Sequence, residues 1–75
     1  MENKLRIVFS TSLGIPQETV VDDLKYSVNP AWDSVAHMTL IAAIEEAFEI
    51  MIDAEDVIDM SSFGKAKQIL AKYLQ

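Results

Sequence analysis

Apolar residues recur at helical spacing in three stretches of the chain. Leu5, Val8, Phe9 and Leu13 form the first stripe, with Ile7 adjoining it, and predict a helix from Glu2 or Asn3 to about Ser12. Gly14 supplies the stop signal, with Pro16 shortly behind. Leu40, Ile41, Ile44, Ala47 and Phe48, extended by His37 and Met38, define a second helix from Asp33-Ser34 to about Ile50. Glu45, Glu46 and Glu49 mark its wet side, and Asp33 is suited to cap its first turn. Phe63, Ala66, Ile69, Leu70 and Tyr73 or Leu74 give the last helix, Phe63 to about Tyr73, capped by Ser61 or Ser62, with Lys65, Lys67 and Lys72 outside. Between these two lies a short segment, Ala54 to Met60, in which Val57, Ile58 and Met60 are apolar.

From Ile15 to Trp32 no period is sustained. Asp22 and Asp23 lead into Leu24, Lys25 and Tyr26, which suit one short turn, and Asn29-Pro30 reads as another turn. Val20, Val21, Leu24, Tyr26 and Val28 are the residues available to pin this connection to the helices. So long a loop in so short a chain points to a functional reason. No alternating β pattern or hairpin dipeptide competes. The expected fold is all-α: a small bundle of three main helices plus one short helix, with a long loop between helices 1 and 2, forming one domain over residues 1–75.

Composition narrows the function. The chain has 75 residues, 51% of them hydrophobic and none of them cysteine, so its core must hold without disulfides or thiolate metal sites. Six basic residues face twelve acidic ones, a formal charge of −6. Nucleic acid and anionic membranes are disfavoured as partners, because phosphate neutralisation needs clustered Lys or Arg; proteins with basic surfaces are favoured. The first residues lack a signal-peptide pattern, and the uncharged stretch Ser34–Ile44 is too short to span a bilayer. A cytoplasmic monomer is expected. The acidic pairs do not have the spacing of an EF-hand loop, so no structural metal is expected.

Ser34 is the residue with the clearest chemical opportunity. It follows an aspartate, begins a helix and ends a long loop, so its hydroxyl should be exposed near a positive dipole end, where a phosphate ester is favourably held. The same position suits a plain capping serine. A nucleophilic role would need a base and an orienting group; His37, one turn later, is the sole histidine, with no partner network evident.

The stretch AWDSVAHMTLIAAIEEAFEI, from Ala31 to Ile50, resembles the attachment-site helix of the acyl carrier and peptidyl carrier protein family. The family's Asp-Ser-Leu motif appears as Asp33-Ser34-Val35, its apolar helix as Met38, Leu40, Ile41 and Ile44, and its acidic ending as Glu45, Glu46, Phe48 and Glu49. Ile52, Glu55-Asp56, Val57-Ile58 and Ser61-Ser62-Phe63 follow in the family's order. The resemblance is firm from Trp32 onward and looser from Leu5 to Leu24.

It implies a carrier without enzymatic activity. A phosphopantetheinyl transferase would move 4'-phosphopantetheine from coenzyme A onto Ser34, and the arm's thiol would hold an acyl or aminoacyl group as a thioester for loading and accepting enzymes. Asp33 would assist transferase recognition, and Val35 would contact the arm or a partner. Glu45, Glu46, Glu49, Glu55 and Asp56 would form an acidic strip for basic docking surfaces. Trp32 either packs over the start of helix 2 or joins the recognised surface; His37 is expected to be a partly exposed helix residue or a partner contact. Met38 belongs either to the core or to that contact. Fatty-acid-type carriers usually have glycine at the position of Trp32 and leucine at that of Val35, so the resemblance points to a stand-alone carrier of a specialised pathway. A fatty acid synthesis carrier and an unmodified helical interaction module remain the alternatives.

Overall fold

The computed structural model describes residues 1–74. Four helices follow one another: α1 (Glu2–Leu13), α2 (Ser34–Phe48), α3 (Ala54–Asp59) and α4 (Phe63–Tyr73), with a 3₁₀ turn at Gln17–Thr19 in the first connection. The all-α bundle with a long first loop matches the fold expected from the sequence.

Helix ends follow local chemistry. α1 stops where Gly14 adopts the left-handed conformation at φ 67°, and the Gly14 and Ile15 amides both donate to the Ser10 carbonyl. α2 starts at Asp33, whose carboxylate accepts from the Ala36 amide at 2.9 Å. It ends two residues earlier than its apolar stripe suggests, because Glu49 turns left-handed at φ 55° and Ile50 leaves the helix. α4 is capped by Ser62, which accepts from the Lys65 amide.

The core is drawn chiefly from α1, α2 and α4. α1 contributes Leu5, Phe9 and Leu13, α2 contributes Leu40, Ile41 and Ile44, and α4 contributes Phe63, Ala66, Ile69 and Leu70. Phe9 sits between two aromatic edges, with ring centroids 5.2 Å from Trp32 and 5.0 Å from Phe63. Such T-shaped pairs add roughly 0.5–1.5 kcal/mol each beyond the area they bury.

The long loop is stitched down rather than free. The Tyr26 amide donates to the Ser61 carbonyl and the Phe63 amide to the Leu24 carbonyl, forming a single antiparallel bridge at Lys25 and Ser62. Val20 and Leu24 are the loop's buried anchors, together with Trp32. Val21 and Val28, expected as anchors, are exposed instead, because both lie in turns closed by local backbone bonds, from the Leu24 amide to Val21 and from the Asn29 amide to Lys25, with no inward-facing side to offer. Asn29 closes the last turn by accepting from the Ala31 amide through its side chain.

Candidate functional site

The loop delivers the chain to the head of α2. Ser34 is the first helical residue there, and it is exposed. The preceding Asp33 is extended and spends one carboxylate oxygen on the Ala36 amide, which fixes the direction in which α2 sets out. Ser34, His37 and Met38 are spaced three and four residues apart, so they share one side of the helix. That side opens onto a groove of about 390 Å³, completed by Tyr26 from the loop, Val57 and Ile58 from α3, and Met60. The lining is mainly apolar, with the Ser34 hydroxyl among its polar groups.

The groove's wall residues Tyr26, Val57, Ile58 and Met60 are not evident as a site from sequence. Each reads as an ordinary apolar position, and only the tertiary placement of α3 and of the loop beside α2 brings them near Ser34. Met38, placed in the inner stripe by periodicity, is 61% exposed and belongs to the groove rim. Val35 is 76% exposed and Ile58 is 81% exposed. The head of α2 therefore presents two uncovered apolar side chains, Val35 and Met38, and α3 adds Ile58.

Several expected surface residues are interior. Trp32 has 0% exposure and packs against Phe9, which agrees with the packing reading and corrects its alternative placement in a recognition surface. His37 is buried at 9% and hydrogen-bonded at both ring nitrogens: Trp32 Nε1–H donates to Nδ1 at 2.9 Å, and Nε2 meets the Val57 carbonyl at 2.8 Å. It is thus neither a half-exposed helix residue nor a partner contact. With both nitrogens engaged, it has none left to take a proton from Ser34.

The expected acidic strip divides in the same way. Glu46, Glu49 and Glu55 are exposed. Glu45 is half-buried and accepts from the Ile52 amide at 3.0 Å, holding the turn after α2, so it is not on the wet side. Asp56 is buried against α4, where it accepts from Lys72 Nζ at 2.8 Å and from the Tyr73 hydroxyl. Those two donors hold its carboxyl below the ordinary aspartate value. The cleft on that side, lined by Asp56, Asp59, Lys65 and Lys72 among others, is polar and shares no lining residue with the apolar groove. Among the described residues, no group of three or more His, Cys, Asp or Glu side chains is arranged to hold a metal ion. None of the helices they form is long and apolar enough to cross a membrane.

No protein-family model matches the chain. A curated relative does: an acyl carrier protein of Cyanidium caldarium, 31% identical over 67 residues, which span 89% of this chain and 78% of that protein. The small four-helix fold with its long first loop agrees with that likeness, and the chain belongs to the acyl carrier protein family.

Proposed function

We propose that the chain carries an acyl or aminoacyl group as a thioester on a 4'-phosphopantetheine arm joined to Ser34, and presents it to partner enzymes of a specialised biosynthetic pathway. What supports this reading above all is one juxtaposition: an exposed serine hydroxyl at the first residue of a 15-residue helix, on the rim of an apolar groove. The arm fits these residues. Its phosphodiester would lie at the positive end of the α2 dipole, and its chain would have apolar surface to lie against. When bound, the arm supplies a terminal thiol, which a chain without cysteine lacks.

Attachment asks little of the carrier itself. The Ser34 Oγ–phosphorus bond forms as the bond from phosphorus to adenosine 3',5'-bisphosphate breaks. The hydroxyl proton leaves to a base of the transferase, since both His37 nitrogens are engaged within the carrier. Asp33 keeps the serine at the helix head and assists transferase recognition. Val35, Met38 and Ile58 give client enzymes an apolar contact, and Glu46 and Glu49 near the far end of α2, with Glu55 on α3, add exposed negative charge that suits basic docking surfaces. The protein acts in this reading as a cytoplasmic monomer without enzymatic activity of its own.

Intact-mass measurement tests the proposal. The purified protein is incubated with a broad-specificity phosphopantetheinyl transferase and coenzyme A, alongside Ser34→Ala. The wild type should gain the mass of one phosphopantetheine and the variant should gain nothing. A wild type that stays unmodified overturns the reading in favour of an unmodified interaction module.

A further inference from the structure

Attachment at Ser34 makes no use of the buried polar pair Trp32 and His37. An indole N–H can only donate, so His37 Nδ1 must be the acceptor in the 2.9 Å contact. The ring proton therefore sits on Nε2, which donates to the Val57 carbonyl at 2.8 Å. That carbonyl belongs to the last turn of α3, where helical carbonyls lack intrahelical donors. The neighbouring amides are engaged elsewhere: Met60 N–H donates to Asp56 and Ser61 N–H to Asp59. The imidazole is the group that satisfies Val57.

Three segments thus converge on one ring: the end of the loop through Trp32, α2 through His37 and α3 through Val57. The ring also stacks on the Trp32 indole at 5.9 Å and lies 5.1 Å from the Tyr26 ring. We propose that His37, in its Nε2–H tautomer, is a positioning residue that clamps α3 to α2 and so sets the shape of the groove beside Ser34.

The geometry of α3 makes this clamp consequential. α3 has six residues, too few to persist as an isolated helix. Its polar anchors reach two different helices, the Val57 carbonyl to His37 on α2 and the Asp56 carboxylate to Lys72 and Tyr73 on α4. Releasing the first while keeping the second leaves α3 tethered to α4 and free to draw Val57 and Ile58 away from the groove. The clamp stands on contacts alone, whereas its importance for cargo rests on the proposed carrier function.

Nitrogen-15 NMR and amide hydrogen exchange test it. The His37 ring of the wild type should show a protonated Nε2 and an unprotonated Nδ1. In His37→Leu, the Val57 and Met60 amides should exchange at least tenfold faster relative to those of α1 and α4. His37→Gln, which retains one acceptor and one donor, should recover part of the protection. A proton on Nδ1, or acceleration in α3 that merely keeps step with α1 and α4, overturns the proposal. Should His37→Leu not fold, Trp32→Phe and His37→Gln are judged by the same selectivity. None of these measurements involves coenzyme A or a transferase, so their failure is distinct from failure of attachment at Ser34.

Discussion

Gly14 and Glu49 occupy equivalent positions in the chain's two longest helices, and only one of them suits the conformation it holds. Each ends its helix in the left-handed region, and in each case two successive amides converge on one carbonyl, that of Ser10 or of Glu45. For a residue with a Cβ this conformation costs about 1–2 kcal/mol, while glycine adopts it freely but loses more backbone entropy on folding. Glu49→Gly should therefore raise stability by about 0.5–1 kcal/mol, and Gly14→Ala should lower it by about 1 kcal/mol. Urea denaturation of both variants against wild type reads the two signs. The same contrast explains what was legible in the sequence. Gly14 announces the end of α1, whereas nothing in Glu49 announces a left-handed turn, so the apolar pattern carries α2 on to Ile50. Trp32 and His37 were legible only in part: packing of Trp32 over the head of α2 and a place for His37 along the apolar stripe could be read, but not the bond that joins their rings.

At the scale of elements, α3 is the part whose existence was readable and whose orientation was not. Its acidic residues suggested a single outward strip, yet Asp56 turns inward because Lys72 and Tyr73, 16 and 17 residues onward, meet it across the α4 interface. Charge is visible in a sequence, but the face that carries it depends on contacts far along the chain. The same limit applies to the loop, whose buried anchors are selected by the bridge to the start of α4 and not by any local period. The Asp56 cluster has a pH signature. Its carboxyl is held below the ordinary value by hydrogen bonds from Lys72 and then Tyr73. A depressed folded-state value means that the stabilisation is present above the unfolded aspartate value, about 3.9, and is lost as pH falls through the folded one. Glu2, lowered mainly by Arg6 and Lys67, shares the direction, so wild type alone cannot apportion the effect. Asp56→Asn should show a lower thermal midpoint at neutral pH and a shallower decline below about pH 4 than wild type. Equal slopes in the two proteins would show that Asp56 contributes nothing to acid lability.

The whole molecule is a body of 30 × 23 × 19 Å bearing a formal charge of −6, and three of its exposed apolar residues, Val35, Met38 and Ile58, lie at the head of α2 and on α3. Under the proposed carrier function, these two properties would divide the work of partner recognition by range. Charge acts over roughly 8 Å at physiological ionic strength and steers an approaching partner, while the apolar residues act only on touching it. Steering changes the rate of encounter more than the strength of the final complex. Raising salt from about 50 to about 500 mM should accordingly lower kcat/KM for arm attachment severalfold while leaving kcat nearly unchanged. Replacing Glu46 and Glu55 together by glutamine should flatten that salt dependence, since both carry their charge on exposed positions. Val35→Ser should instead reduce attachment equally at both salt concentrations, because burial of an apolar side chain at docking is indifferent to ionic screening. Steady-state kinetics of the transferase reaction on the three proteins separates these effects. A salt dependence unaltered by the double substitution would remove Glu46 and Glu55 from the docking surface and leave the apolar head of α2 as its basis.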